Sequence, residues 1–548
     1  MKTDDRLGMT ALWAACGLLA AVPLFLPIVN PDLFWHLSAG RWMLEHRALP
    51  HADFLSFSAA GKPWIDFEWL SQLVFQLAYD RGGMTALWLL KAALLAAIWR
   101  LQDLTLARRG CGQVLRAWGL VLYAGGMTAY SDIRPELFSL LLLSLLVRAG
   151  ESGLLQKPTP RTLFGVAAVF ALWTNLHAGF PIGWFLLFCY AVSGKSGWER
   201  WRPLLLAVPA TLLNPYGAGP WRVILQHWTQ GQNISRTIRE WQGLGFANPV
   251  YWPIWALIGF VVVAAALAVR ASVRGRISRR PPWPLAAATL CLALATLQHE
   301  RSCPYFAICA AILLPLLLHD LDWEGSAWAR RSIGACSASC ALFLAWLAPK
   351  VHWTADFNYK FVPRAAAGFM ARQRPALEPL RLYNQWEWGG YLCWRLRPWY
   401  RAFWDGRYIF HEDLAAAERA IRDPSDWREF MSDRRLDGAL LPDLASMLPA
   451  RKRYPDGSLK DFPRPWYFFY MPKDQWALVY WDGQALLFVA RRAVPSAWLA
   501  EHEYRYARPH DEAARKEALR LREIPAAASA AEDERHRSEL AGSGAGGP

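Results

Sequence analysis

The sequence predicts an α-helical polytopic membrane protein, with about eleven spans followed by an extracytoplasmic α/β domain. Three observations carry this. The 548 residues are 54% hydrophobic and only 19% charged. Apolar blocks of about 16–20 residues recur between residues 9 and 350, separated by short basic clusters. From about residue 351 the chain turns polar and mixed, as in a water-exposed domain. The same composition excludes a cytosolic enzyme, a collagen-like or disordered chain and a small disulfide-stapled domain.

Spans are expected near 9–29, 84–103, 113–130, 134–149, 162–175, 178–193, 202–213, 251–270, 282–298, 303–318 and 331–349. The segment Glu68–Tyr79 is apolar on one face and fits an interfacial helix or a further span. Met1–Arg6 is short and mixed in charge, and the apolar run after it lacks a small-residue cleavage site, so that run is expected to stay as the first span. Residues 1–350 then form the transmembrane domain, with a long first outer loop at 30–83. Residues 351–523 form the outer domain, and 524–548, rich in Ala, Ser, Gly and charge, a disordered tail.

Charge orients the chain. One set of loops carries Lys2, Arg6, Arg100, Arg108, Arg109, Arg148, Lys157, Arg161, Lys195, Arg200, Arg202, Arg270, Arg274, Arg276, Arg279, Arg280, Arg330 and Arg331. That is roughly 18 basic residues in about 70 positions, against roughly 9 in about 105 on the other side. The N-terminus is therefore expected in the cytoplasm and the C-terminal domain outside. The net charge of +15 fits orientation and anionic lipid headgroups, and no nucleic-acid partner is expected. Of nine cysteines, only Cys393 falls in the polar part, so no disulfide framework or zinc spacing is legible there.

With this topology the unusual polar residues collect on the outer face. The first outer loop opens Asn30-Pro31-Asp32-Leu33-Phe34-Trp35-His36 and later reaches Asp66-Phe67-Glu68-Trp69. Other span ends supply Asp132, Arg134 and Glu136; Asn175 and His177; Asn214, Tyr216, Glu240 and Trp241; and His299-Glu300-Arg301. Ionisable groups at membrane depth are costly and mark a site, a cavity or a pair.

Each has a plainer alternative. Asp32 fits the N-cap of the following helix as well as a catalytic carboxylate. His36, four residues on, shares its helical face and is either held by that carboxylate or packed at the interface. Asp66 and Glu68 would point one way in an extended segment. They are candidates for a divalent cation (Mg or Mn), for acid–base work, or for plain solvated loop positions. Arg134 and Arg301 sit at the outer mouths of apolar spans, where a guanidinium can clamp phosphate, snorkel, or pair with Glu136 or Glu300. His177 lies in a tight hairpin, where polar groups also satisfy backbone.

One chemistry uses this set well. A sugar on a polyprenyl phosphate keeps its tail among membrane lipids and its head at the outer surface. An enzyme using it needs a lipid-facing groove, cations for the phosphate and a carboxylate base for the acceptor.

The layout resembles the GT-C class of membrane glycosyltransferases, which includes protein O-mannosyltransferases, oligosaccharyltransferases and lipid A aminoarabinose transferases. A bacterial branch of that superfamily is similar in Asp32-Leu33-Phe34-Trp35-His36-Leu37-Ser38-Ala39-Gly40, Phe67-Glu68-Trp69-Leu70, Ile133-Arg134-Pro135-Glu136-Leu137-Phe138, Thr174-Asn175-Leu176-His177-Ala178-Gly179 and Asn214-Pro215-Tyr216-Gly217. It is also similar in Trp388-Gly389-Gly390-Tyr391-Leu392 and Asp405-Gly406-Arg407-Tyr408. The resemblance covers roughly residues 10–495.

It implies an inner-membrane enzyme that moves a sugar from a polyprenyl-phosphate donor to a lipid, glycan or protein acceptor. By the resemblance, Asp32 takes the place of the first-loop acidic residue that serves as base or metal-associated carboxylate. Arg134 and Arg301 would hold phosphate, and Glu68, His36, His177, Asn175, Glu240 and Glu300 would complete the site. Many relatives pair two acids at that loop opening, whereas here Leu33 and Phe34 follow Asp32, so a second carboxylate must come from Asp66 or Glu68. These acids and guanidinium groups are expected to converge at one outer cavity open to lipid. The rivals are a transporter or flippase of a lipid-linked saccharide, which should show repeated halves, and a non-catalytic scaffold of an envelope assembly complex.

In the outer domain, strand-like runs are expected at Leu380–Tyr383, in a second run ending at Asp405-Gly406-Arg407, and at Trp466–Met471 and Trp476–Ala490. Gly389-Gly390 and Asp482-Gly483 read as turns, and a helix is expected around His411–Ile421. Asp405 and Arg407 read as a turn and its partner, or as a substrate contact.

Overall fold

A computed structural model describes residues 3–193, 197–275, 282–323, 327–350 and 354–543. Lys2, Lys195, Arg276, Arg279 and Arg280 of the orienting loops lie outside the described residues. The chain divides into two compact units. The first comprises Met1–Asn30, Met43–Leu49 and Ile65–Phe357; the second comprises Pro31–Trp42, Pro50–Trp64 and Asn358–Pro548. Much of the first outer loop therefore groups with the C-terminal part.

The first unit is built from helices: α1 (Thr3–Phe25), α2 (Leu33–His46, shared with the second unit), α3 (Trp69–Arg108), α4 (Gln113–Met127), α5 (Glu136–Glu151), α6 (Pro160–Leu176) and α7 (Phe180–Val192). It continues with α8 (Arg202–Ala210), α9 (Gly219–Thr237), α10 (Trp252–Val273), α11 (Trp283–Gln298), α12 (Cys303–Asp320) and α13 (Ala327–Leu347). Every expected span coincides with a helix, but not every helix is a full span. Among the described residues, Trp69–Arg108, Pro249–Val273 and Glu300–Asp320 are long and apolar enough to cross a membrane. Cys16–Phe25, Phe180–Val192 and Trp283–Gln298 are apolar but shorter. The expected span 202–213 yields only the nine residues of α8, which has Pro203 at its start and Pro209 inside. A helix this short rises about 14 Å, half of a hydrocarbon core.

Two features of the sequence act differently from expectation. The amphipathic segment 68–79 and the span 84–103 join into α3, whose continuity breaks only at Gly82 and Gly83. Gly83 sits at φ 60°, a conformation open to glycine at little cost. The helix α9 was not anticipated, because Arg222, Gln226 and His227 interrupt its apolar positions. At the centre lies α12, buried on all sides from Cys303 to Leu317, as expected for a helix apolar all round. It packs closely on α4, where a Cβ at Gly126 would meet the Ala307 Cβ at 2.6 Å. Small residues permit this approach of two helices.

The second unit contains a four-stranded sheet in the order β1-β2-β8-β7. Its strands are Leu382–Asn384 (β1), Gly438–Pro442 (β2), Trp476–Trp481 (β7) and Ala485–Ala490 (β8). Two short ribbons join Met447–Leu448 (β3) to Arg464–Pro465 (β6) and Arg451–Arg453 (β4) to Leu459–Asp461 (β5). β1 runs parallel to β2, Leu382 opposite Gly438, and β8 is antiparallel to both β2 and β7. The Asp482-Gly483 turn forms as expected, with Asp482 Oδ1 accepting the Gln484 and Ala485 amides, each at 2.7 Å.

The run ending at Asp405 makes only an isolated bridge at Ala402, and Trp466–Met471 is not a strand either; Tyr467–Tyr470 forms a helical turn tied down by the Tyr467 hydroxyl, which donates to Pro509 O at 2.7 Å. Gly389 opens the helix Gly389–Arg395 rather than a turn. Residue 389 must be glycine for space, since a Cβ there would overlap the Trp404 carbonyl oxygen. Gly389→Ala is therefore expected to lower stability by about 2–3 kcal/mol, the upper end of overpacking costs because the obstacle is backbone. Chemical denaturation of the purified protein measures it, and an unchanged midpoint would refute the steric argument.

The expected disordered tail is instead a helix, Ala526–Ser543. Its Glu532 carboxylate accepts three consecutive amides, from Arg505 at 3.0 Å, Tyr506 at 2.7 Å and Ala507 at 2.8 Å. The alanine run supplies helix propensity that the bulk composition concealed.

Candidate functional site

Several expected site residues of the first unit gather at one end of its helices. Arg134 and Glu136 stand at the start of α5, His177 at the end of α6, Glu68 at the N-cap of α3 and Arg301 just before α12. Glu240 lies in the short turn Arg239–Trp241 between α9 and α10. Helices running in alternate directions bring these ends to one level.

Arg134 donates to Glu240, and both side chains keep over a third of their surface open, 35% and 39%. Arg134 holds the Glu240 carboxyl below the usual carboxylate range, against burial and with help from Arg301. Arg301 is exposed, and its guanidinium lies 5.5 Å from the centre of the Trp241 ring. Glu240, Glu136, Tyr305 and Glu68 all act on it electrostatically, yet no ion pair within 4.0 Å holds it among the described residues. A guanidinium resting on an indole, within the field of several acids but bonded to none, can accept a bidentate anion.

Behind this pair lies a buried polar chain. Trp173 Nε1 donates to Ser139 Oγ at 2.6 Å, so the Ser139 hydroxyl turns to His177 Nδ1 at 2.7 Å. Gly179 N–H also donates to Nδ1, at 3.1 Å. With Nδ1 accepting twice, the proton of the imidazole sits on Nε2, which faces Glu68 Oε1 at 3.7 Å. Burial, then Arg301 and Arg134, push the His177 imidazolium down to about 3, so the ring is neutral and its approach to Glu68 is not an ion pair. Gly179 closes the chain: a Cβ there would meet Ser139 Oγ at 2.6 Å and the Tyr305 hydroxyl at 2.8 Å.

Other expected residues have structural employment. Asn175 accepts from Trp69 Nε1 at 2.9 Å and donates to Ala171 O at 2.6 Å and Leu213 O at 2.9 Å, tying α3, α6 and the end of α8. Asp66 receives the Gln72 amide at 2.6 Å. Glu300 accepts from the Tyr251 hydroxyl at 2.8 Å and faces Arg239 at 3.9 Å. Asp132 caps the chain after α1, accepting the amides of Val29 at 2.9 Å and Asn30 at 2.6 Å. Asn214 closes its own turn, Oδ1 to Tyr216 N at 2.8 Å. The sequence reading missed Ser139, Trp173 and Tyr305, which lie inside apolar runs and carry no motif.

Asp32 and His36 belong to the second unit. The Asp32 carbonyl accepts the Trp35 and His36 amides as α2 begins, and a Cβ at Gly406 would overlap the Asp32 carboxylate. His36 is buried, its ring 3.6 Å from that of Trp35. In the same unit Arg407, 2% exposed, donates to Asp405 through Nε and Nη2 at 2.7 Å each and to Asp53 at 2.6 Å. Against burial, Asp405 and Asp53 raise its pKa and keep it charged. Asp53 also receives the Leu55 and Ser56 amides, at 3.2 Å and 3.1 Å. The Asp405–Arg407 turn is thus the core of a buried triad whose third member, Asp53, was not anticipated. Among the described residues no group of three or more His, Cys, Asp or Glu is arranged to hold a metal ion.

No protein-family model matches the chain, and no curated protein matches it in sequence. Among solved structures it is similar to an Archaeoglobus fulgidus oligosaccharyltransferase in complex with Zn and sulfate. That identity is 12%, over 82% of this chain and 72% of the other, with a TM-score of 0.48. It is similar to ArnT from Cupriavidus metallidurans in the apo state at 14% identity, over 88% of this chain and 98% of that one, with a TM-score of 0.49. For ArnT bound to undecaprenyl phosphate the figures are 12%, 88%, 98% and 0.44.

Proposed function

We propose that this chain is a multi-pass cell-membrane glycosyltransferase, moving a sugar from a polyprenyl-phosphate donor to an acceptor on the outer face. The N-terminus would be cytoplasmic and the C-terminal part extracytoplasmic. The observation that carries the reading is Arg301: an exposed guanidinium stacked on Trp241, beside the Arg134–Glu240 pair, at the ends of apolar helices. That arrangement supports capture of a phosphate whose lipid tail remains among membrane lipids.

In the reaction the bond from the sugar C1 to the phosphate oxygen breaks, and polyprenyl phosphate leaves with the electron pair. The acceptor oxygen bonds C1 and gives its proton to a carboxylate. Arg301 would stabilise the charge developing on phosphate. Asp32 is the proposed base by its sequence context. Glu68, facing neutral His177, is the acid of the first unit proposed to take part, with or without Mg or Mn.

Asp32→Asn is expected to lower transfer from a radiolabelled polyprenyl-phosphate sugar by about 10²–10⁴-fold, with an unchanged melting temperature. Full transfer by a stable Asp32→Asn protein would remove Asp32 from this role.

A further inference from the structure

Away from these residues, the second unit contains a cavity of about 470 Å³ with basic walls. Arg451, Arg453, Arg464, Lys473, Arg505 and Arg515 line it, against the acids Asp511 and Glu523. Several of these cations are already matched. Arg464 is bidentate to Asp511, both bonds at 2.9 Å, and Arg505 pairs with Glu503 at 2.8 Å. Arg515 bonds Asp533, and Arg451 faces Asp461 at 3.2 Å.

Two cations are not matched. Arg453 is exposed and has no ion pair among the described residues. Lys473 donates to the Arg505 carbonyl at 3.1 Å and to no carboxylate among the described residues. Nearby, Arg508 is 3% exposed, and its Nη1 and Nη2 have no hydrogen-bond partner among the described residues. Arg464, Lys473 and Arg508 stand 4.0, 4.9 and 5.5 Å from the centre of one ring, that of Phe468. Burial among these neighbours, and after it the Arg508 charge, push the Lys473 ammonium down to about 7. An anion would offset that charge.

We propose that this cavity binds a small phosphate-bearing ligand, with Lys473 and Arg453 as its unmatched cations. A cavity of this size suits a small molecule or a lipid headgroup rather than a polymer. Guanidinium forks favour phosphate, and Phe462 and Tyr506 offer aromatic wall to whatever the phosphate carries. The site is independent of the transfer reading and stands if that reading falls.

The test uses the full chain in phosphatidylcholine nanodiscs, titrated with inorganic pyrophosphate by calorimetry. With Arg301→Gln as the background, so that the other proposed phosphate cation is absent, saturable binding with a Kd below about 1 mM is expected, weakened at least about tenfold on adding Lys473→Gln or Arg453→Gln. Arg453 is exposed, so its variant keeps the test open should Lys473→Gln fold poorly. Repeating the titration in nanodiscs containing phosphatidylglycerol separates the sources: competition points to a lipid headgroup, its absence to a soluble phosphate compound, and both support the site. No saturable binding overturns the proposal, as does binding that survives both variants.

Discussion

Replacing Arg407 with alanine is expected to cost about 3–5 kcal/mol of stability in the second unit. Asp53 and Asp405 have side chains 0% exposed, and both depend on this guanidinium. Its removal strands two carboxylates where water cannot solvate them, and it also strips the contacts with Trp64 at 4.6 Å and Phe410 at 5.6 Å. The loss should therefore exceed that of a surface ion pair several-fold. Limited proteolysis across a denaturant series measures it. A triple variant, Arg407→Met with Asp53→Asn and Asp405→Asn, should recover most of the loss, because a buried charge network is often replaceable as a whole but not in part. A stable Arg407→Ala protein would show that the triad is dispensable.

Arg301→Gln is expected to weaken binding of a polyprenyl phosphate, tested with undecaprenyl phosphate in nanodiscs, by about 10- to 100-fold. Its guanidinium is exposed and makes no ion pair among the described residues, so its loss breaks no salt bridge, and the fold should tolerate it. Arg134→Gln should act through a second route as well, since it releases Glu240 into the site. The two variants should therefore differ: Arg301→Gln in affinity alone, Arg134→Gln in affinity and local stability. Equal binding by wild type and Arg301→Gln would end its assignment as the phosphate cation.

Local pattern was enough to locate each expected helix of the first unit, because apolar runs and basic breaks are read over a few residues. It did not say which runs are full spans, since prolines such as Pro209 shorten helices that composition alone would extend. Among candidate residues, Arg134, Glu136, His177 and Arg301 announced themselves as ionisable groups at the ends of apolar stretches. Asn175 looked the same in sequence, but a side-chain amide serves backbone as readily as substrate, and here it bonds two carbonyls and an indole. Ser139 was invisible because a serine inside a leucine run reads as a tolerated helix residue; only its neighbours in space give it a role. Asp53 is separated from Arg407 by 354 positions, and no periodicity spans that distance. The grouping of 31–42 and 50–64 with the C-terminal part was hidden for the same reason.

The far ends of the same helices hold their acids differently. Arg109 and the Tyr190 hydroxyl both bind Glu151, and Arg116 grips Asp103 through two bonds at 2.7 and 2.9 Å. Glu151 and Asp103 are 2% and 5% exposed, so these are closed locks. Pulling either lock apart without admitting water costs about 3–5 kcal/mol, a hundredfold or more in population per lock. These ends of the helices are thus fastened to one another through buried acids, whereas the ends that carry Arg134 and Arg301 keep their cations at least partly at the surface.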